Sequence, residues 1–398
     1  MKRWIYLGLG MAANIAQGVA YAGSVFSTPV LRMVGIENDP VAWTLVFTLS
    51  IMFLPVGMIL AGRLADRSGP RLPIAVGAVV FALALFIASQ TTSYSVLCFS
   101  LGFLLSMGSG LAYGPIVASV VRWFPDRKGL ASGLIVGALG FGPVVIAPLC
   151  ATLLNNFQWE MSSVLLLLGV LSLIAIGAAS QITSPPSAPQ PSPAQQTSAA
   201  PAVSAKKDYN WLGMIQTREF WVLSALFFLG AAPGLMVISQ TNSMFAEICK
   251  IPKESAWISV VVLAAANTFG RILWGAVSDY LGRFNTLTVM FICSTIGLAI
   301  FPSATSPAFL LTVIFLIGTT YGGYLGLFPS LCADSFGLKN MSLNYAILFI
   351  AFATAAIVGP RIYGLLEMQQ AFYIAATFSL VGCVGTFGYN AIFGRKKS

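Results

Sequence analysis

The sequence predicts an all-α membrane protein with twelve transmembrane helices, arranged as two six-helix bundles related by pseudo-symmetry. The composition indicates a polytopic membrane protein, because 57% of the residues are hydrophobic, only 8% are charged and the mean hydropathy is +0.86. A transmembrane helix needs about twenty apolar residues. Runs of that kind lie at 4–30, 41–62, 72–90, 95–121, 129–155, 160–181, 219–245, 254–280, 285–304, 307–333, 341–366 and 370–393.

The first of these spans begins after a short basic start and has no convincing small-residue cleavage site. We therefore expect a retained first helix and not a cleaved signal peptide. Later in the chain, residues 182–210 lose the apolar character and contain six prolines among Ser, Ala and Gln. Such a composition favours a semi-extended linker. It divides the chain into predicted bundles at 1–181 and 211–398.

An internal repeat supports this division. Gly62, Asp66 and Gly69 follow the second span, and Gly275, Asp279 and Gly282 follow the eighth, each pair separated by 213 positions. Pro115 and Pro329 repeat at a separation of 214. Parallel repeats of six helices are common in secondary transporters, which hold the substrate near the membrane midplane between the halves.

The distribution of basic residues predicts the orientation. With both termini in the cytoplasm, 16 of the 21 Lys and Arg residues fall in cytoplasmic segments, four fall outside, and Arg271 lies within a span. This asymmetry follows the positive-inside rule, and it accounts for the net charge of +9 without nucleic acid. We expect a multi-pass protein of the bacterial inner membrane, present as a monomer.

The composition also argues against several chemistries. The six cysteines are scattered singly without metal-ligand spacing, and the chain has no histidine. No nucleotide loop or pair of catalytic carboxylates is evident. We therefore expect no metal, no cofactor, no catalytic residue and no enzymatic activity.

Arg271 is the most informative residue, because it is the only charged side chain between Glu254 and Asp279. A charge inside a membrane costs about 2.5 to 3.5 kcal/mol on insertion scales, so it usually faces a bundle interior or an aqueous cavity. The other spans offer almost no central carboxylate as a partner. The sequence therefore predicts that Arg271 binds an anionic substrate; the alternative is a structural ion pair with a distant helix.

Two further strings carry a family resemblance. The string from Gly62 to Arg71, with its echo from Gly275 to Arg283, resembles the loop motif of the major facilitator superfamily. The string from Arg122 to Gly133, together with 267–275, is similar to segments shared by monocarboxylate transporters and oxalate/formate antiporters. The resemblance implies the major facilitator fold, a carboxylate on Arg271 and a latch on the cytoplasmic side. The predicted latch residues are Gly62, Asp66, Arg67, Gly69, Arg71, Asp279 and Arg283.

The sequence departs from the family pattern at three places. Asn267 stands where animal monocarboxylate transporters have an aspartate, four residues before the arginine. The first span has no lysine, and the stretch from Tyr345 to Phe352, where oxalate carriers have a lysine, is uncharged. A single central cation suits one carboxylate better than two.

Polar groups within apolar spans complete the predicted substrate site. Asn267 shares a helix face with Arg271. Tyrosines in otherwise apolar spans offer a hydroxyl at the tip of an apolar ring, although ordinary packing explains each of them equally well. The candidates are Tyr21, Tyr113, Tyr321 and Tyr324.

These observations predict a secondary active transporter of small monocarboxylates of the lactate and pyruvate class, coupled to a proton. An anion exchanger of the oxalate/formate kind is the main alternative. A carboxylate receptor that does not translocate its ligand is a second alternative, but no signalling domain is attached.

Overall fold

The computed structural model describes residues 2–20, 23–37, 42–183, 208–250, 256–304 and 306–393, and all regular structure in this part of the chain is helical. Eleven of these helices are long and apolar enough to cross a membrane. The N-terminal half contains α1 (Lys2–Gln17), a 3-10 turn (Gly18–Ala20), α2 (Gly23–Met33), α3 (Ala42–Ser68), α4 (Arg71–Gln90), α5 (Tyr94–Leu97), a π-helical segment (Cys98–Leu104), α6 (Leu105–Trp123), α7 (Lys128–Asn155) and α8 (Met161–Ala179).

The C-terminal half begins with the short helix α9. The elements of this half are α9 (Trp211–Ile215), α10 (Arg218–Cys249), α11 (Trp257–Leu281), α12 (Arg283–Ile300), α13 (Pro307–Phe336), α14 (Met341–Leu365) and α15 (Met368–Phe393), with a 3-10 turn at Phe301–Ser303 after α12. Most of the predicted linker, residues 184–207, lies outside the described residues, so the domain boundaries remain a prediction.

The first predicted span differs from the expectation of one continuous helix. The structure has α1 and α2 in its place, and neither is long enough to count among the eleven. The α-helix gives way to the 3-10 turn at Gly18, where α1 meets α7. A Cβ atom at Gly18 would overlap the backbone of Gly142, so the two helices touch through bare backbone at this point.

Equivalent helices pack in the same way in the two halves. In the first half α3 packs on α6, α4 on α8, and α1 on α7; in the second, α11 packs on α13, α12 on α15, and α10 on α14. Between the halves, α7 packs on α11 and α3 packs on α14. Because α3 is the equivalent of α11 and α7 is the equivalent of α14, interchanging the halves turns one of these contacts into the other. The interface therefore has the pseudo-symmetry predicted from the repeat.

The sequence analysis placed the repeated motifs in loops. In the structure they lie on helix ends. The α3 helix continues to Ser68 and α11 continues to Leu281. Each is followed by a glycine with positive φ, at +88° for Gly69 and +83° for Gly282. Only glycine adopts this backbone conformation without strain. We call this end of the molecule, where α3 and α11 end and α7 and α14 begin, the basic end.

Candidate substrate site and gate

Arg271 lies in the middle of α11, at the interface between the halves, and is 3% exposed. Its Nε donates a hydrogen bond to the Asn267 side-chain oxygen at 3.2 Å. Its Nη1 donates to the backbone carbonyl of Val136 on α7 at 2.8 Å. The Nε group is therefore held by the same helix and the Nη1 group by the opposite half. Nη2 forms no hydrogen bond within the described residues.

Glycines on both neighbouring helices let α11 approach closely. On α7, a Cβ atom at Gly133 would overlap the carbonyl oxygen of Arg271. On α13, a Cβ at Gly326 would overlap the same oxygen, and one at Gly322 would overlap the carbonyl of Asn267. Small residues at a membrane-helix interface allow such backbone contact.

Arg271 has no acidic partner in the described part of the chain. The ion pairs found there all join other residues at the basic end, and they include the pair of Arg3 with Asp126, which lies just before the start of α7. A buried cation that interacts only with neutral oxygen atoms is poorly compensated, since burial removes the water that would otherwise solvate it. The arrangement therefore provides a site that attracts an anion.

Aromatic side chains of α6 and α14 meet across the interface between the halves. Tyr113 on α6 is buried, and its ring meets Phe349 of α14 edge to face at a centroid separation of 6.2 Å. Tyr345, one turn before Phe349, is fully buried and interacts with Tyr113 and with the charge on Arg271. The sequence analysis noted only that this stretch of α14 is uncharged. Tyr345 was missed because no sequence signal indicates which face of an apolar helix meets the opposite half.

The other predicted tyrosines that the structure describes pack within the C-terminal half. Tyr321 packs against Gly234 of α10. Tyr324 is buried in the core of the C-terminal half, where its ring lies 5.1 Å from that of Phe291 on α12 and contacts Gly230 of α10. Tyr21 lies outside the described residues. The structure thus brings Asn267 to Arg271 through a hydrogen bond, and Tyr345 connects Tyr113 to Arg271, because it interacts with both.

A chain of buried amides supports the N-terminal side of the site. Ser109 donates to Gln17 at 2.8 Å, Gln17 donates to Asn14 at 3.1 Å, and Asn14 donates to the carbonyl of Ile135 at 2.7 Å. The next carbonyl on α7 belongs to Val136, which accepts from Arg271. These side chains fix the segment of α7 that holds the cation.

At the basic end, Asp66 joins α3 to the opposite half. Its carboxylate accepts the backbone N–H groups of Leu343 at 2.9 Å and Ser342 at 3.3 Å, at the start of α14. It also pairs with Arg122 of α6 at 2.9 Å. The first N–H groups of a helix lack partners within the helix, and the macrodipole favours a negative charge there. Asp66 therefore stabilises contact between the halves.

Asp279 makes the matching contact on the other side of the pseudo-axis. Its carboxylate accepts the N–H groups of Gly129 and Leu130, each at 2.9 Å, at the start of α7. It pairs with Arg283 at 2.8 Å. We call the contacts of Asp66 with α14 and of Asp279 with α7 the two clasps. Both hold a helix start of the opposite half.

Asp334 adds an ion-pair network beside the second clasp. It pairs with Lys128 of the opposite half at 2.8 Å and with Arg283 of its own half at 2.9 Å. Arg122 adds further inter-half bonds, since it donates to the carbonyls of Leu338 at 2.8 Å and Lys339 at 3.1 Å. The basic end is closed by these contacts.

The remaining predicted latch residues fall into two groups. Gly62 lies where a Cβ would come within 2.6 Å of the Leu343 Cα atom, so it allows α3 to touch α14, and Gly69 forms the turn after α3. Arg67 and Arg71 are exposed, and neither forms a hydrogen bond or ion pair with the residues described. The partner of Asp66 is Arg122, which the sequence analysis did not assign to the latch although it lies in a motif that carried the resemblance.

Comparison with known proteins agrees with this architecture. Among similar sequences, the oxalate:formate antiporter of Oxalobacter formigenes is 30% identical, with 90% of this chain and 83% of that protein aligned. An uncharacterized MFS-type transporter of Escherichia coli, YhjX, is 26% identical over 89% of this chain and 86% of its own length. Monocarboxylate transporter 12 of Xenopus laevis is 24% identical over 99% of this chain and 89% of that protein.

The fold matches a solved structure at low sequence identity. The crystal structure of the MFS transporter FucP in the outward conformation superposes with a TM-score of 0.70, covering 98% of this chain and 99% of that one at 14% identity. Residues 10–360 match the sequence model of the Major Facilitator Superfamily. The protein is therefore a multi-pass membrane transporter that belongs to the Major Facilitator Superfamily.

Proposed function

We propose that the protein is a secondary active transporter of small monocarboxylates of the lactate and pyruvate class, which moves its substrate together with a proton by alternating access. The observation that carries the proposal is the state of Arg271, a buried cation between the two halves whose hydrogen-bond acceptors are an amide and a backbone carbonyl. A substrate carboxylate supplies the missing negative charge.

The guanidinium geometry suits a carboxylate. Nε is used by Asn267, and Nη1 uses one of its hydrogens for Val136. The free edge is the one formed by Nη1 and Nη2, which matches the two oxygens of a carboxylate in a charge-assisted, bidentate contact. Because Val136 belongs to α7, the carboxylate would bind where Arg271 already bridges the halves.

The surroundings favour a compact acid with one charge. Beyond the hydroxyls of Tyr113 and Tyr345 lie the rings of Phe349 and Phe352, whose centroids are 4.8 Å apart. Phe227 of α10 contacts both rings. A hydroxyl or keto group would meet the phenols, a methyl group would meet the phenyl rings, and a second carboxylate would find no cation on this wall.

Transport requires that the closed end open. The two clasps and the Lys128–Asp334 pair join the halves at the basic end. We propose that rocking of the halves breaks these bonds and exposes Arg271 to the basic side. In the proposed orientation, in a bacterial inner membrane with both termini in the cytoplasm, the closed side is the cytoplasmic one.

Uptake by purified protein in proteoliposomes tests the proposal. A panel of radiolabelled acids should include lactate, pyruvate, formate, acetate, oxalate and succinate, each measured with and without an inward proton gradient. We expect saturable uptake of lactate or pyruvate that protein-free liposomes lack. Transport restricted to dicarboxylates would contradict the substrate class.

An anion exchanger is the second candidate, and one observation favours it. Asn267, a neutral residue, occupies the position next to Arg271 where a proton-carrying aspartate would be expected, and the aligned relative from Oxalobacter formigenes is named an antiporter. An exchanger needs only that one anion replace another on Arg271. Counterflow at symmetric pH, with trapped unlabelled lactate and external labelled lactate, accompanied by no net uptake, would support exchange.

A further inference from the structure

Thr268 is an exception among the threonines inside the helices. The six threonines that are buried elsewhere in the described helices each donate the hydroxyl to a carbonyl one turn earlier in their own helix: Thr241, Thr286, Thr288, Thr319, Thr320 and Thr386. This local bond is the usual way to satisfy a threonine hydroxyl in an apolar environment. The Oγ1 atom of Thr268 is also buried, yet it has no hydrogen-bond partner in the described part of the chain.

The unpartnered hydroxyl lies beside the guanidinium of Arg271. Both groups face Gly140 of α7: a Cβ atom built on Gly140 would lie 3.1 Å from the Thr268 Oγ1, 3.1 Å from the Arg271 Cζ and 3.2 Å from the Arg271 Nη1. Thr268 and Arg271 are three residues apart, so they share one face of α11. The hydroxyl and the cation therefore lie near each other, and both face a glycine that has no side chain.

An unsatisfied buried hydroxyl is unfavourable for folding, because the group gives up its bonds to water without replacing them. The other buried threonines show that a threonine hydroxyl in an α-helix can reach a carbonyl one turn earlier in its own helix. A hydroxyl that stays unpaired next to an uncompensated cation is arranged for a partner that arrives from outside the chain.

We propose that Thr268 is a substrate ligand, whose hydroxyl donates a hydrogen bond to the carboxylate oxygen that Nη1 of Arg271 holds. The inference rests on the proposed function, and it deepens the description of the site. Arg271 supplies the charge, Thr268 supplies a third donor, and Gly140 keeps a side chain away from both groups. The site takes a flat, compact anion in which one oxygen meets two donors.

Ligand-dependent thermal stability of the detergent-purified protein tests this assignment without relying on transport. The probes are sodium lactate and sodium formate, with sodium chloride at equal ionic strength as the reference. Thr268→Val keeps the shape of the side chain and removes the hydroxyl, whereas Thr268→Ser keeps the hydroxyl. For Thr268→Val we expect the apparent Kd for the carboxylate to rise about ten- to a hundredfold, the usual effect of losing a hydrogen bond to a charged group. Thr268→Ser should stay within a few-fold of the parent protein.

Stability without ligand separates a binding role from a structural one. Because the hydroxyl is unsatisfied, Thr268→Val should melt at the same temperature as the parent protein or above it when no carboxylate is present. A threonine that served the fold would show the opposite result, with a lower melting temperature and an unchanged Kd. That outcome would overturn the proposal.

Two glycine variants provide a matched control on the facing helix. Gly140→Ala places its methyl group 3.1 Å from both polar groups, whereas Gly137→Ala places it 3.1 Å from the Ile272 Cγ1 atom and away from the polar pair. Both changes crowd the same helix contact to a similar degree. We expect the carboxylate-dependent stabilisation to be lost in Gly140→Ala and kept in Gly137→Ala.

The design distinguishes failure of this inference from failure of the proposed function. Stabilisation of the parent protein by a carboxylate, undiminished in Thr268→Val, overturns the role of Thr268 and leaves the monocarboxylate site intact. Stabilisation that is lost in Thr268→Val and kept in Thr268→Ser supports the inference, even if reconstituted protein transports neither probe. No stabilisation of the parent protein by either carboxylate overturns both.

Discussion

Asp279, at the end of α11, accepts the backbone N–H of Gly129 at 2.9 Å, although the two residues belong to opposite halves of the chain. Asp66 does the same to Leu343 at 2.9 Å. Each carboxylate satisfies donors that a helix start leaves unpaired, and each carries an arginine partner. The two clasps are thus one device used twice, as the repeat in the sequence predicts.

The clasps and the proposed substrate site share their helices. The α11 helix carries Asp279 at its end and Arg271 two turns earlier, and α7 contributes both Gly129 and Val136. Movement of α11 against α7 therefore changes the clasp and the cation together. This shared element gives a physical reason for substrate binding to influence the gate.

Removing the charge of a clasp should impair movement more than binding. In Asp66→Asn and in Asp279→Asn, the amide accepts hydrogen bonds without a negative charge, so the closed state loses about 1 to 3 kcal/mol. We expect transport turnover to fall about tenfold or more in each variant, while carboxylate binding measured by thermal stabilisation changes little. A carboxylate that thermally stabilises Arg271→Ala but not Asp66→Asn would mean that gate and site have been exchanged.

Close contact of α7 with α11 should also be required for the stability of the folded protein. A Cβ atom at Gly133 would overlap the Arg271 backbone carbonyl, so one of the two helix backbones would have to shift to make room for it. For Gly133→Ala we expect the unfolding free energy to fall by about 1 to 3 kcal/mol, as in other overpacked cores. Thermal denaturation of the purified protein measures this.

Gly177 on α8 supplies the matched control for that substitution. It has no atom within 4 Å of a built Cβ. Gly177→Ala should be neutral or stabilise the helix by up to about 1 kcal/mol. Equal loss of stability in the two variants would contradict a role for close contact at Gly133.

The fold was largely predictable from the sequence because a bilayer imposes a simple rule on helix length. Eleven predicted spans correspond to long helices in the described structure. The interruption of the first span was not predicted. It lies where Gly18 contacts Gly142, a residue distant in sequence. The placement of the motifs in loops was wrong because charged residues can continue a helix beyond the apolar core.

The site was predictable only in part. Arg271 and Asn267 stand out because polar groups are rare in membrane spans, and their spacing places them on one face. Tyr324 has the same sequence character as Tyr113, yet it lies against Phe291 inside one half. Tyr345 lies at the interface instead. The direction in which an apolar helix presents each side chain is set by packing against distant helices, which the local pattern does not contain.

Arg271 should be irreplaceable by lysine. Lys keeps the charge but cannot donate to Asn267, Val136 and a carboxylate in one plane, because its ammonium lacks the planar fork of the guanidinium. In proteoliposome uptake, we expect Arg271→Lys to lose most activity, about tenfold or more, and Arg271→Ala to lose all of it. Near-normal uptake by Arg271→Ala protein would rule out the proposed site.

The uncharged wall around Tyr345 should exclude dicarboxylates. A second carboxylate would be buried against Phe349 and Phe352 without a counter-ion, which is strongly unfavourable. In competition against labelled lactate uptake, we expect pyruvate to inhibit well and oxalate or succinate to inhibit poorly. Stronger inhibition by oxalate than by pyruvate would favour the anion exchanger.

Proton coupling should not depend on one acid near the substrate. The position four residues before Arg271 is Asn267, and the half-buried acids Asp66, Asp279 and Asp334 all lie at the basic end in inter-half contacts. We therefore expect a proton that accompanies the substrate to be carried by a carboxylate distant from Arg271 or by the substrate itself.

We therefore expect an inward proton gradient to increase lactate accumulation in proteoliposomes severalfold, and to do so in Asp334→Asn as well. The Asp334 variant loses its pairs with Lys128 and Arg283, so its turnover should fall, but the ratio of uptake with and without the gradient should persist. Arg271→Ala should show no uptake under either condition, because the cation is needed whichever group carries the proton. Lactate accumulation that does not respond to the imposed gradient would exclude symport and leave exchange or facilitated diffusion.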